Sequence, residues 1–549
     1  MSSINRFAVD EIRKSNPIFS DFRSIIETAF YGNNVSKVTE LKKAYELASD
    51  SPGTIKTDLP LFKAEEMGLP SNAKILVFND GKVFGRTAAA RRIIGQPGID
   101  ATYLSGILRE AIYQGRQKEF YHGTALVGLS ESFMLKTHLM IPTGFENNLY
   151  SYLLNFQMIT EEYKDLYHSS KKYDEGDIYI YADPDWNHPD FPHGLALFDP
   201  IHNVAAILGL RYFGELKKAT LTLAWAAAHR NDFIACHGGV KQYDLDEEKY
   251  TMAVFGLSGS GKSTITLSDH GNKFNMKVLH DDAFIIEKGT GATTALEPSY
   301  FDKTQDYPMG DKNIKYFLTC QNVGVTLDKD DKKVLVTEDI RNGNGRTIKS
   351  QFVIPNRENH LTEKIDSIFW IMKDDSLPPI LKINNPILAS IFGLTLATKR
   401  STAENVVPGV DINKLVIEPF ANPFRCYALN EDYQNFKHLF EEKATDCYIL
   451  NTGFFRGEKV TPAQTLGSIE KIIANEANFK VFGPLEDISY LPVDNHDPDF
   501  KNKDYVESLI KGMENRLDFL NDMKIEMDGY NALPEETNEV IKRIINELK

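Results

Sequence analysis

Residues 251–264 read TMAVFGLSGSGKST, an apolar, strand-like run that breaks at Gly256 into glycine, serine and lysine. Gly256, Gly261, Lys262 and Ser263 meet the G-x-x-x-x-G-K-[ST] spacing. Glycines at 256, 259 and 261 let backbone N–H groups turn toward phosphate oxygens, and a helix that starts here adds its partial positive charge. Lys262 is placed to neutralise β- and γ-phosphates, and the Ser263 hydroxyl to ligate Mg²⁺. Gly256, Leu257, Ser258, Gly259, Ser260, Gly261, Lys262, Ser263 and Thr264 are therefore the candidate nucleotide loop. A strand, a glycine loop and a helix in this order imply an α/β enzyme with its nucleotide site in the C-terminal half.

A second acidic element follows closely. The apolar run 277–279 (KVL) ends in His280-Asp281-Asp282, with Asp282 only 20 positions past Lys262. Carboxylates at a strand end beside a phosphate loop are where a nucleotide-bound metal is held. Doubly wound nucleotide folds usually place that strand farther along, so the interval predicts a compact, hairpin-like arrangement.

Outward from this centre, residues 1–70 read as helices, with apolar residues at helical spacing in PIFSDFRSIIETAF and VSKVTELKKAYELA. KILVFN (74–79) and DIYIYA (177–182) read as strands, and QYDLDEEKY (242–250) as a surface turn before TMAVF. DYVESLIKGMENRLDFL and ETNEVIKRIINELK near the C-terminus read as charged amphipathic helices. The reading is two domains, an N-terminal mixed-sheet substrate domain over 1–240 and a nucleotide- and metal-binding domain over 241–549.

Composition narrows the partners. The 549-residue chain is 42% hydrophobic and 25% charged, with a formal net charge of −15, which disfavours nucleic acid and anionic membranes. The N-terminus is charged where a signal peptide needs an apolar core, and Leu221 to Ala228 is too short to span a bilayer. Cys236, Cys320, Cys426 and Cys447 show neither paired ligand spacing nor a disulfide framework. A cytoplasmic, soluble protein, monomeric or a small homo-oligomer, is expected.

Several blocks resemble ATP-type phosphoenolpyruvate carboxykinases. Tyr212-Phe213-Gly214-Glu215-Leu216-Lys217-Lys218 is similar to the family's Y-[AG]-G-E-[MI]-K-K signature, and FIACH then ends in His237. Gly85-Arg86-Thr87 resembles the family segment that supplies a substrate-binding arginine. Arg346 lies 64 residues past Asp282, where the family carries a later active-site arginine. SLPPILKI (376–383), ATKRSTAEN (397–405) and YILNTGFF (448–455) resemble further blocks. The resemblance implies a phosphoenolpyruvate carboxykinase fold and metal-dependent conversion of oxaloacetate and ATP to phosphoenolpyruvate, ADP and CO₂.

Carried over residue by residue, it implies that Lys218, His237 and Asp282 hold Mn²⁺, with Lys217 depressing the pKa of the Lys218 amine. Arg86 would hold a substrate carboxylate, Tyr212 would lie near the departing carboxylate, and Lys262, Lys217 and Arg346 would steady the transferred phosphoryl group. Ser263 would bind Mg²⁺ and Asp281 would orient metal-bound water.

The sequence departs from the family on the nucleotide side. The family's acidic element continues as D-D-E-H-G-W, whereas the text here is Asp282-Ala283-Phe284-Ile285, and GTGATTALEP (289–298) lacks the family's phosphate-approaching lysine. Lys459 stands for an adenine-site arginine, while Thr465 keeps its partner's place. GLSGSGKST lacks the cysteine of GTP-type relatives, which favours ATP. A kinase acting on another metabolite or a protein serine, and a non-catalytic ATP sensor, stay open as alternatives. The His188, His193, Asp183, Asp185 and Asp190 run reads as a proline-rich surface loop in preference to a metal site.

Overall fold

The computed structural model describes residues 2–79, 87–158, 160–245, 248–257, 259–338, 344–399 and 415–549. Arg86 and Ser258 fall outside them, as do 340–343 of the IRNGNGR turn and 400–405 of ATKRSTAEN.

Two large mixed sheets organise the chain. The first takes its strands from Val35–Val38 to Val204–Leu208. Its strand Ile178–Asp183 is buried along its whole length. Ile178 and Ile180 enter one apolar cluster, whereas Tyr179 and Tyr181 enter another on the opposite face. This is the period-2 geometry of a strand covered on both sides. The helix Phe213–Arg230, almost wholly buried, packs against this sheet.

The second sheet holds Lys249–Phe255, Ser367–Met372 and Asp446–Asn451 side by side in parallel. Here Ala253, Phe255, Ile368 and Trp370 face one cluster, and Met252, Val254, Phe369 and Ile371 the other. Continuous apolar runs such as TMAVF and SIFWIM are what a doubly covered parallel sheet requires. A third sheet pairs Phe233–His237 with Ala283–Glu287. A fourth joins Ile55–Pro60 and Lys74–Phe78 to Tyr300–Lys303, Phe317–Gln321 and Arg346–Lys349, and so links early and late parts of the chain.

The C-terminal helices Lys503–Asp522 and Glu535–Leu548 form as their periodicity predicts, burying Leu509, Met513, Leu520, Ile541 and Ile544 in the core of the second sheet. Two expectations need correction. Val35–Val38 is an edge strand running parallel to Phe120–Ser130, and its helix starts only at Leu41; a two-valine VSKV pairs readily with an exposed strand edge. Ile55–Pro60 is likewise a strand. Gln242 to Asp244 are not a turn, because they complete the strand Gly239–Asp244 in a hairpin with Lys249–Phe255. Polar Gln242 is buried there and bonds Thr251 and Glu363. No helix among the described residues is long and apolar enough to cross a membrane, and the four cysteines are buried and unbridged.

Candidate active site

The glycine loop leaves the sheet at Phe255 and enters the helix Lys262–Leu267 at Gly261, whose φ of 102° suits glycine. Gly259 is also left-handed, at φ 82°. The chain then returns as the strand Asn275–His280, antiparallel to Gly239–Asp244, and crosses to Ala283–Glu287 in the third sheet. Asp281 and Asp282 occupy that crossing. The short interval thus comes from a return strand on the sheet edge; the arrangement is compact but not the expected hairpin, because Asn275–His280 and Lys249–Phe255 run the same way on either side of Gly239–Asp244.

A cleft of ≈ 340 Å³ opens here, lined among others by Tyr212, Lys217, Lys218, His237, Lys262 and Arg346. Asp282 is its hub. Lys217 Nζ donates to Oδ2 at 2.9 Å, Lys218 Nζ donates to Oδ2 at 2.8 Å, and His237 Nε2 lies 2.8 Å from Oδ1. Lys262 Nζ is 3.9 Å from Oδ1 and donates to the Asp281 carbonyl. Burial alone would raise the Asp282 carboxyl, but chiefly Lys217 and Lys218 outweigh it and hold it well below the usual range.

The two adjacent lysines differ sharply. Lys217 is buried and also meets Glu297, itself fully buried, at 2.9 Å. Burial opposes its charge, yet Asp282 and Glu297 overcome that and keep it protonated. For Lys218 burial wins, with Lys217 adding repulsion against Asp282, and its pKa is lowered to about 8. Its amine also sits over the Phe424 and Trp225 rings, at 4.7 and 5.8 Å from their centroids. Burial and then Lys218 lower His237 to about 4.

The first turn of the helix Phe213–Arg230 places both lysines. Its Phe213 N–H donates to Gln321 Oε1 at 3.2 Å, and Glu215 Oε1 accepts from the Thr87 N–H at 2.6 Å. The second bond ties the chain that follows Arg86 to the Tyr212 end of the cleft. The Tyr212 hydroxyl is raised by burial, against the pull of its Arg346 partner. Asp281 is buried and raised for the same reason, while Lys262 and a bond to Ser263 oppose the shift.

Of the expected site residues, Tyr212, Lys217, Lys218, His237, Leu257, Gly259, Gly261, Lys262, Ser263, Thr264, Asp281, Asp282 and Arg346 meet at this one cleft. Gly256 and Ser260 pack beneath the loop: a Cβ at Gly256 would lie 3.2 Å from Ser260 Cβ and 3.1 Å from Ile371 Cβ. Lys459 is exposed and lines a separate cavity with Lys373 and Thr452, and Thr465 is buried on the helix Pro462–Ile473. Thr452 links that cavity to the loop by donating to the Ser260 carbonyl at 2.9 Å. Sequence reasoning missed Glu297, Phe301, Asp302, Lys303 and Phe424. The one signal was an acidic residue inside the otherwise apolar TALEP.

Among the described residues no three His, Cys, Asp or Glu side chains cluster as a metal site; the group around Asp282 mixes a carboxylate, an imidazole and amines. The proline-rich run starts inside a buried strand, so Asp183 is not at the surface. Its carboxylates have separate partners, with Asp183 on Lys118, Asp185 on Arg211 and Asp190 on Tyr103.

A profile described as phosphoenolpyruvate carboxykinase matches residues 62–478. The chain is similar to the phosphoenolpyruvate carboxykinase (ATP) of Aeropyrum pernix, 24% identical over 305 residues that cover 53% of this chain and 60% of that protein. It is also similar to the phosphoenolpyruvate carboxykinase (ATP) of Bacillus cytotoxicus, 24% identical over 318 residues that cover 54% and 56%. The matched stretch therefore spans less than two thirds of either relative. Because the profile covers most of the sequence and takes in every residue of the cleft described above, the chain belongs to the phosphoenolpyruvate carboxykinase family.

Proposed function

We propose that this chain converts oxaloacetate and ATP to phosphoenolpyruvate, ADP and CO₂, and that it needs divalent metal to do so. The observation that carries the reading is the way His237 faces Asp282. Its Nδ1 lies against the Ala421 carbonyl, an acceptor that requires the ring proton. With a pKa near 4 the ring is neutral at pH 7, so Nε2 turns a bare lone pair toward the Asp282 carboxylate. Two acceptors facing each other at 2.8 Å are what a cation between them would satisfy. Lys218, at about pKa 8, is the third donor, since a neutral amine is within reach near physiological pH.

The residues fit Mn²⁺ held by Lys218, His237 and Asp282, and Mg²⁺ held by Ser263 with Asp281 behind it. Bound there, the metals supply positive charge opposite the negative charge that develops on decarboxylation and phosphoryl transfer. Lys217 stays charged and fixed by Asp282 and Glu297. Arg86 and Arg346 hold substrate oxygens, Tyr212 borders the departing carboxylate, and Lys262 neutralises the phosphate chain as the loop N–H groups cradle it. Lys459 and Thr465 flank the adenine. No proton is removed in the decarboxylation, so that step requires no general base. Residues 1–240 form the substrate-binding domain and 241–549 the nucleotide- and metal-binding domain, from which Arg346 reaches the substrate, in a cytoplasmic monomer or small homo-oligomer.

A coupled assay with oxaloacetate, ATP, Mg²⁺ and Mn²⁺ tests this. Metal-dependent phosphoenolpyruvate that disappears in Lys218→Ala and Lys262→Ala is the expected result. No product from a protein that still binds ATP would defeat the reading.

A further inference from the structure

Between the strand Leu415–Ile417 and the helix Leu429–Glu442 the chain makes a buried turn, Pro419–Ala421. Two consecutive residues of it are left-handed, Phe420 at φ 52° and Ala421 at φ 54°. Neither is glycine, and for a bulky side chain that conformation is an outlier. The other adjacent non-glycine pair of this kind among the described residues, Met527–Asp528, lies in a turn with no buried residue. Strained backbone persists only where its surroundings hold it, and it gathers at functional sites.

Phe420 anchors the corner. Its ring stacks on Phe436 at 4.5 Å and lies 5.7 Å from Trp370. Gly393 leaves the space, since a Cβ there would lie 2.8 Å from the Phe420 ring and 2.8 Å from Trp370. The Ala421 and Asn422 N–H groups donate to the Glu418 and Pro419 carbonyls, both at 3.0 Å. So fixed, the Ala421 carbonyl accepts from Nδ1 of His237, 184 residues earlier in the chain. Asn422 Oδ1 then accepts from the Phe424 N–H at 3.1 Å, and the Phe424 ring meets the His237 ring edge-on at 5.5 Å. One short run thus gives the same imidazole a hydrogen bond and a wall.

We propose that the left-handed corner Phe420–Ala421 is the positioning element of His237: its carbonyl keeps the ring proton on Nδ1 and leaves the Nε2 lone pair toward the cleft for a metal ion. A right-handed or extended path at these residues would turn the peptide plane, and the carbonyl with it, away from the ring. An imidazole free to take the other tautomer would present an N–H to the cleft, which cannot ligate. Holding a metal-binding imidazole by its second nitrogen fixes both tautomer and ring orientation. The inference rests on the carboxykinase reading for the identity of the ion, but not for the tautomer.

The test uses the full chain, nitrogen-15 labelled at histidine, with the His237 signals assigned by their loss in His237→Gln. Nitrogen shifts of the metal-free protein at neutral pH give the tautomer, and Mn²⁺ titration by electron paramagnetic resonance gives the affinity. The wild type should carry its proton on Nδ1. Ala421→Val, whose branched side chain resists left-handed backbone, should mix the two tautomers and weaken Mn²⁺ binding about ten- to a hundredfold. Ala421→Gly keeps the carbonyl and suits the conformation, so it should match the wild type in both readings. Asp528→Val strains the exposed corner in the same way and should lower Tm without moving either reading. Should Ala421→Val fail to fold, Phe420→Leu, which loosens the anchor, carries the same expectation. A wild-type proton on Nε2 overturns the proposal, as does a folded variant in which tautomer and affinity do not move together or do not move at all. If the tautomer holds and responds as expected but no phosphoenolpyruvate forms, the carboxykinase reading falls and the positioning role stands.

Discussion

His237 and Asp282 lie 2.8 Å apart on the facing ends of neighbouring elements, His237 closing the strand Phe233–His237 and Asp282 just preceding its partner Ala283–Glu287. Asp282 also receives two lysines, so its charge is what permits so many polar groups to be buried together. Asp282→Asn is expected to cost roughly 3 kcal/mol in denaturant unfolding, as breaking a buried ion pair does. Mn²⁺ affinity, read by electron paramagnetic resonance, should weaken at least about a hundredfold. Unchanged metal affinity in a folded Asp282→Asn protein would remove Asp282 from the metal set.

Lys262 separates nucleotide from dicarboxylate chemistry. Its ammonium stands at the start of the loop helix and donates to the Asp281 carbonyl. Lys262→Ala is expected to lower kcat by about a thousandfold, in the range seen for lost transition-state charge. Oxalate binding by calorimetry should be retained. Parallel loss of both would show that Lys262 organises the whole cleft.

Lys241 gives the protein a pH dependence away from the substrate. Fully buried, it donates to the Ile265 carbonyl at 3.0 Å and to the Ser268 carbonyl, so it ties down the far end of the loop helix. Burial, opposed by Asp269, lowers its pKa from 10.5 to about 7. Between those values the unfolded chain binds more protons than the folded one, so stability rises with pH over this window and falls as pH drops toward 7. The contribution cannot exceed about 1.4 kcal/mol per pH unit. Denaturant midpoints from pH 7 to 9.5 should climb in the wild type and climb less in Lys241→Met. Identical slopes would place the titration elsewhere.

Gly239 marks where the loop helix meets the sheet. A Cβ there would lie 3.0 Å from Thr266 Cβ and 2.9 Å from its Cγ2. Thr266 cannot yield easily, because it is buried and donates to the Lys262 carbonyl at 2.9 Å. Gly239→Ala should cost roughly 1–3 kcal/mol as overpacking does, and should weaken ATP binding by moving Lys262. A neutral substitution in thermal unfolding would show that the helix can shift without penalty.

The sequence by itself determined the local chemistry. GLSGSGKST demanded a strand, a turn of left-handed glycines and a helix, because that conformation is open to few other residues, and Gly259 and Gly261 adopt it. Alternation in DIYIYA and apolar continuity in TMAVF and SIFWIM set the buried strands, since periodicity is a property of the chain alone. The Y-F-G-E-L-K-K and FIACH blocks pointed to the residues that meet at Asp282.

Tertiary structure decided what depends on partners far along the chain. VSKV became a strand because Phe120–Ser130 offered an edge, and Gln242 became core because Thr251 and Glu363 received its amide. The lysines at 217 and 218 share a helix turn and a sequence context. Asp282 and Glu297, the latter 80 residues beyond Lys217, keep one charged, while the Phe424 and Trp225 rings accompany the other's lowered pKa. The facing of Lys303 and Arg346, 43 residues apart, is a matter of strand register. Such pairings are fixed by burial and by long-range hydrogen bonds, and no local pattern encodes them.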